Sequence, residues 1–125
     1  MTGTLNKNVL QTALLTTTAT TADQVILSYT VPANQTFYLN AIEANVALTT
    51  FAATATDFGS ISLRQNGVKV VTFSTVAGTG TLSTPLFLPF PDLPYSAGDV
   101  FTIVCTPLAA TSFDWEANLI GYLKP

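Results

Sequence analysis

From Gln24 to the end of the chain, apolar side chains recur at every second position, in short runs that stop at Gly, Pro or Asn. Side chains along a strand alternate between two faces, whereas a helix repeats about every 3.6 residues. This period therefore calls for strands and not for a helical body. The last run is the clearest. Phe113, Trp115, Ala117, Leu119, Gly121 and Leu123 share one face, and Asp114, Glu116, Asn118, Ile120 and Tyr122 share the other. Val25, Leu27, Tyr29 and Val31 mark an earlier strand that halts at Pro32-Ala33-Asn34. Between Thr36 and Leu48 the apolar parity changes, from Phe37 and Leu39 to Ile42, Ala44, Val46 and Leu48. An inserted residue turns the pattern over in this way, so a β-bulge or a bend is predicted near Asn40-Ala41.

Ile61 and Leu63 lead into Asn66-Gly67, and Val68, Val70 and Thr72 leave it. Both central positions of a tight hairpin turn need positive φ, which Asn and Gly tolerate, so a hairpin is predicted here. Leu82–Phe90 reads as a strand that Pro85 and Pro89 either confine to a sheet edge or break, because proline donates no ladder hydrogen bond. Val100–Thr106 follows a turn at Gly98-Asp99, while Phe51–Asp57, Ala77–Gly80 and Pro107–Ser112 read as connections. Seven or eight antiparallel strands and no convincing helix after residue 22 predict an all-β, single-domain β-sandwich with an N-terminal arm. Eight strands with inter-sheet connections would make it jelly-roll-like; an immunoglobulin-like order stays open, although its Cys…Trp…Cys spacing is absent.

The sandwich domain is placed at residues 23–125. Residues 1–22 read differently: Leu5, Val9, Leu10, Leu14 and Leu15 sit among polar residues, ahead of a Thr/Ala tract from Thr16 to Thr21. The leucine spacing suits a short amphipathic helix, but the β-branched run opposes its continuation. This segment is read as an N-terminal arm or a first strand.

Charged residues make up only 9% of the 125, against 48% hydrophobic, where an ordinary domain carries about 25% charged. Neutral hydroxyl and amide groups, threonine above all, fill the gap, so little like-charge repulsion keeps copies apart. Four Lys plus Arg and a net charge of −3 leave too few cations to neutralise a phosphate backbone, so no nucleic-acid partner is expected. The absence of histidine removes a His general base, His-containing triads and imidazole zinc sites. One cysteine cannot close an intrachain disulfide. The first residues lack a charged segment followed by an apolar one, and no apolar run approaches the ~20 residues of a membrane span. The expectation is a soluble, intracellularly made protein, with no membrane partner, no cofactor and no enzymatic activity.

Single residues fit that expectation. Asp114 and Glu116 point the same way from one strand, so they cannot flank a scissile bond and read as solvated carboxylates. Gly78-Thr79-Gly80 lacks the Lys and following helix of a phosphate loop and reads as a turn. Cys105 lies mid-strand without cationic neighbours in sequence and reads as a small core side chain. Asn34-Gln35-Thr36 matches a glycosylation sequon by chance, and Trp115 reads as core. Phe90, Leu93 and Tyr95 lie among prolines in a rigid loop, either displayed for docking, where little entropy would be lost, or folded over the core as a lid. With Leu5, Val9, Leu10, Leu14 and Leu15 of the arm they form the candidate interface.

Two stretches carry a resemblance. Tyr29-Thr30-Val31-Pro32-Ala33-Asn34-Gln35-Thr36-Phe37-Tyr38-Leu39 resembles a segment common in small β-sandwich virion proteins of tailed bacteriophages, with Asn34-Gln35 standing where Gly-Lys is usual. Ser96-Ala97-Gly98-Asp99-Val100-Phe101-Thr102-Ile103 and the closing Leu119-Ile120-Gly121-Tyr122-Leu123 resemble their C-terminal hairpin. The length is most consistent with the head decoration, or cement, proteins. The resemblance implies a homotrimer on the capsid surface of a virion, bound to the major capsid protein, with residues 1–22 as an arm toward neighbouring subunits. A lectin-like or host-attachment module of a tail or fibre is the alternative.

Overall fold

The computed structural model describes residues 6–18, 21–48, 59–74, 86–107 and 113–125. Eight strands run through them: β1 Lys7–Thr17, β2 Gln24–Thr30, β3 Thr36–Leu48, β4 Gly59–Gln65, β5 Val68–Ser74, β6 Leu86–Tyr95, β7 Val100–Pro107 and β8 Phe113–Lys124. They form two four-stranded sheets, in the orders β1-β8-β3-β6 and β2-β7-β4-β5. The first strand pairs with the last, β2 with β7, β3 with β6 and β4 with β5, all antiparallel. Rolling this nested ribbon brings β3 against β8 and β4 against β7. The chain is thus an all-β sandwich with jelly-roll topology, and the immunoglobulin-like order does not apply.

Inward side chains from both sheets make one core. Phe37, Leu39, Ile42, Trp115 and Leu119 of the first sheet meet Ile61, Leu63, Phe101 and Ile103 of the second, all essentially excluded from water. The parity of β8 is strict: Phe113, Trp115, Ala117, Leu119, Gly121 and Leu123 are buried, and the residues between them are not. Aromatic rings close one end, where Phe101 meets Phe37 at 5.7 Å and Tyr95 at 4.5 Å between centroids, both edge to face. Trp115 and Phe113 lie at the opposite end of the first sheet.

The turns at the first end are tied together by Asp99. Its carboxylate accepts hydrogen bonds from the Gln65 and Asn66 side-chain amides, at 3.2 and 3.1 Å, and from the Ser96 backbone N–H at 3.0 Å. Its carbonyl accepts from Val31 N–H, while Asn66 exchanges bonds with Val100 through both backbone and side chain. The predicted hairpin forms at Asn66-Gly67, with φ of 51° and 82°. Asn34 sits at φ 61°, a left-handed position that asparagine tolerates better than most non-glycine residues.

The predicted bulge lies between Leu39 and Ala41, and both partners of β3 shift register there. Opposite it β6 is irregular: Leu93 faces Leu39 and Pro89 faces Ala41, so Phe90, Pro91 and Asp92 bulge against Asn40. Asp92 takes φ 44°, and its carboxylate accepts a hydrogen bond from the Asn40 amide. The stretch expected as a proline-rich loop, Phe90 to Tyr95, is therefore the second half of an edge strand. Its prolines are compatible with pairing because an edge strand needs donors on one side only.

Of the two readings for the first residues, Lys7–Thr17 takes the strand. β1 pairs residue for residue with β8, from Lys7 opposite Leu123 to Thr17 opposite Phe113. Val9 is buried in the core, and the Trp115 indole N–H donates to the Thr17 hydroxyl at 2.9 Å. Removing this strand would bare Trp115 and one edge of β8. The expectations for Leu5, Phe51–Asp57, Ala77–Gly80, Leu82–Pro85 and residues 108–112 fall outside the described residues.

Gly121 shows how closely β8 and β3 fit. A Cβ there would lie 2.3 Å from the Tyr38 carbonyl oxygen and 2.6 Å from two ring carbons of Phe37. Phe37 can fill the centre of the sandwich only because position 121 has no side chain. Gly121→Ala is expected to cost about 1–3 kcal/mol, the usual range for overpacking a core. Its urea midpoint should fall accordingly, and an unchanged midpoint would show that β3 moves away freely.

Candidate functional site

The two outer faces differ in chemistry. On the β2-β7-β4-β5 sheet, the pairings place Ser60, Ser62, Thr72, Thr102 and Thr106 outward. Arg64 lies along this face. Its Nε donates to Ser62 Oγ at 3.2 Å and its Nη2 to Asp23 Oδ2 at 2.8 Å, while the Thr106 hydroxyl donates to Asp23 Oδ1 at 2.5 Å. These bonds, Thr106 first and Arg64 next, hold the Asp23 carboxyl below the ordinary aspartate value of 3.8.

The outer face of the β1-β8-β3-β6 sheet carries Leu10, Leu14 and Phe87 exposed, while Val25, Val68 and Val70 are exposed on β2 and β5 of the other sheet. Leu10, Ile120, Ala41 and Pro89 stand opposite one another and form a single row across all four strands. Leu10 is 66% exposed, and Leu14 and Phe87 nearby are 77% and 59% exposed. Beside this row, Asn8, Tyr122, Tyr38 and Pro94 form a second. The rings of Tyr38 and Tyr122 stack at 5.0 Å between centroids, Lys124 Nζ lies 5.2 Å over the Tyr38 ring, and the Tyr122 hydroxyl donates to Asp92 at 3.4 Å. On the other side Thr12 donates to Asn118 at 2.8 Å, and Asn118 to Glu43 at 3.3 Å, with Phe87 at the end of that row. Large apolar side chains framed by satisfied polar groups are the composition of a protein-docking surface.

The residues expected at an interface divide by strand parity. Leu10 and Leu14 lie exposed on this face, whereas Val9 is buried and Leu15 packs against the core. Phe90 and Tyr95 also pack against the core, and Leu93 is half-buried opposite Leu39. Of the two readings of that stretch, the covering one describes Phe90 and Tyr95. Sequence reasoning missed Phe87 and Tyr38, and placed Ile120 on the outward face of its strand without joining it to a surface. Phe87 was legible as the outward neighbour of a proline-bearing edge strand, but the row itself requires the strand order.

The remaining candidates for chemistry are structural. The Asp114 carboxylate accepts from Thr16 at 2.6 Å. Cys105 is fully buried, and burial pushes its thiol up to about 12. Among the described residues no group of three Cys, Asp or Glu side chains could hold a metal ion, and no helix is long and apolar enough to cross a membrane.

No family model matches the sequence, and no curated protein does. The structure is similar to part of the dimeric latent PorU of Porphyromonas gingivalis, with a TM-score of 0.60 at 10% identity. That match covers 95% of this chain and 13% of PorU, so the chain spans a small fraction of that protein's length, and the likeness shows the fold alone. A chain of infectious bursal disease virus, Gx strain, aligns with a TM-score of 0.44 at 10% identity, over 95% of this chain and 32% of that one. The carbohydrate-binding module CBM36, in complex with calcium and xylotriose, aligns with a TM-score of 0.38 at 19% identity, over 86% of this chain and 76% of that one. Likenesses this distant carry nothing about function.

Two outcomes follow from the local chemistry. A carboxyl whose folded pKa is depressed stabilises the fold at neutral pH, and that share is lost as pH falls from the ordinary value of 3.8 through the lower folded one. Urea midpoints measured from pH 6 to pH 2 should therefore fall less steeply below about pH 4 for Asp23→Asn than for the native chain; parallel curves would remove Asp23 from the account. Cys105 should resist an aromatic disulfide reagent at pH 8 in the folded state and react at once in urea. Rapid labelling of the folded chain would show that the core opens locally.

Proposed function

We propose that the chain is a non-enzymatic structural protein of a virus particle, a decoration protein that binds the outer surface of a phage head and braces its lattice. The observation that carries this reading is the outer face of the β1-β8-β3-β6 sheet, where Leu10, Leu14 and Phe87 stand exposed beside the row of Ile120, Ala41 and Pro89. A rigid sandwich that shows large apolar side chains beside hydrogen-bonded amides and hydroxyls is suited to being gripped by another protein. The phage segments that residues 29–39 and 96–103 resemble support the same reading. The partner is the major capsid protein, and the homotrimer is the form to look for on the particle. Weak contacts repeated by symmetry add up, so each copy needs only modest affinity. A lattice so braced resists expansion because rupture must also break these contacts.

The test is co-sedimentation with particles from the infection that produces the chain, imaged by cryo-electron microscopy. The chain should travel with full heads and appear as added density on the outer shell. Phe87→Lys should fold normally and bind about tenfold more weakly, the usual loss for an aromatic anchor worth ~1–2 kcal/mol. Absence of the chain from purified particles would overturn the reading. The alternative, a lectin-like or host-attachment module, draws on the aromatic side chains Tyr38, Tyr122 and Phe87 on this face. It would be supported instead by thermal stabilisation with a glycan that Phe87→Lys abolishes.

A further inference from the structure

The edges of the first sheet are unlike each other. β6 carries Pro89, Pro91 and Pro94 and bulges at Asp92, so its free side lacks donors and is bent. Edge strands with prolines, charges or bulges are protected against pairing with another chain. β1 has none of these protections. Its eleven residues, Lys7–Thr17, hold no proline and no charge after Lys7, and its register against β8 is unbroken. Among the described residues nothing pairs with its other side.

The side chains of β1 are also arranged symmetrically. Thr12 is its midpoint. In an antiparallel pairing of β1 with a second β1 about Thr12, all eleven residues overlap. Leu10 then faces the second copy's Leu14, Asn8 faces Thr16, and Thr12 faces Thr12 on the outer side. On the inner side Val9 faces Leu15 and Gln11 faces Ala13. Each apolar side chain larger than alanine meets another, and Lys7 meets Thr17 with no like charges opposed. Moving the register by two residues sets both leucines against threonine or asparagine and shortens the overlap. A two-fold contact demands this self-complementarity, and β1 has it in the register of greatest overlap.

We infer that β1 is a docking edge for a second copy of this chain, paired antiparallel about Thr12 so that two four-stranded sheets become one of eight strands. The apolar row of each copy is then extended by one side chain: Leu10 of each lies beside Leu14 of the other, whose own row continues to Glu116. This contact does not depend on a virus particle and forms in the purified protein. If it acts together with the proposed trimer, it links one trimer to the next.

Native mass spectrometry and sedimentation of the full chain over a concentration series read the contact directly. The expected species is a dimer of the 13.2 kDa chain, or a larger assembly of even copy number. A monomer throughout the series, or a trimer alone, overturns the inference. Register is read by cysteine cross-linking. Thr12→Cys should oxidise rapidly to a disulfide-linked dimer, because directly opposed Cβ atoms lie about 4.5–5.5 Å apart. Asn8→Cys should not, since the two copies of residue 8 would be about 27 Å apart at ~3.4 Å per residue. Equal rates for the two variants would refute the register. Thr12→Lys, which opposes like charges at the axis, should be monomeric with an unchanged circular dichroism spectrum. A dimer that persists in that folded variant would place the contact elsewhere.

Discussion

Strand β8 is paired on both sides, to β1 and to β3, and every second side chain along it enters the core. A slip of one residue would send Trp115 and Leu119 to solvent and Glu116 and Asn118 to the interior, which the core could not absorb. The fit against β3 is close enough that Gly121 has no room for a side chain where Phe37 passes. That ring in turn meets Tyr29 and Phe101 and so couples the two sheets. β1 completes the arrangement by covering the other edge of β8 and giving Trp115 its hydrogen bond.

The same pairing decides which surface is left for function. Because β8 and β3 are central and β1 and β6 are edges, the outward residues of four strands distant in sequence become one face. Leu10 and Pro89 are nearly eighty positions apart, yet they end a single row. The opposite sheet is finished differently, with hydroxyl groups and an Arg64–Asp23 bridge along it. Both faces carry side-chain hydrogen bonds, and what distinguishes the first is the large exposed side chains of Leu10, Leu14 and Phe87 beside them.

Edges complete the logic of the molecule. β6 ends its sheet with prolines, and β1 ends it with a regular strand that carries no charge after Lys7. The first arrangement prevents extension and the second permits it. In a chain with so few charges, little electrostatic repulsion would oppose such contacts, and proline placement and bulging are what distinguish the two edges.

The all-β class, the hairpin at Asn66-Gly67, the bulge near Asn40-Ala41 and the inward set of β8 were all legible in the order of residues. Each is local: a period of two, a pair of residues that accept positive φ, or a change of parity. The fate of the first residues and of the Phe90–Tyr95 stretch was not legible. Whether Lys7–Thr17 is an arm or a strand depends on a free edge of β8 about a hundred residues away. Whether prolines make a loop depends on which side of the strand lacks a neighbour. The outer row of Leu10, Ile120, Ala41 and Pro89 was invisible for the same reason. Sequence determines which side chains share a face of one strand, but only the tertiary pairing decides which strands lie side by side and so which exposed residues become a surface.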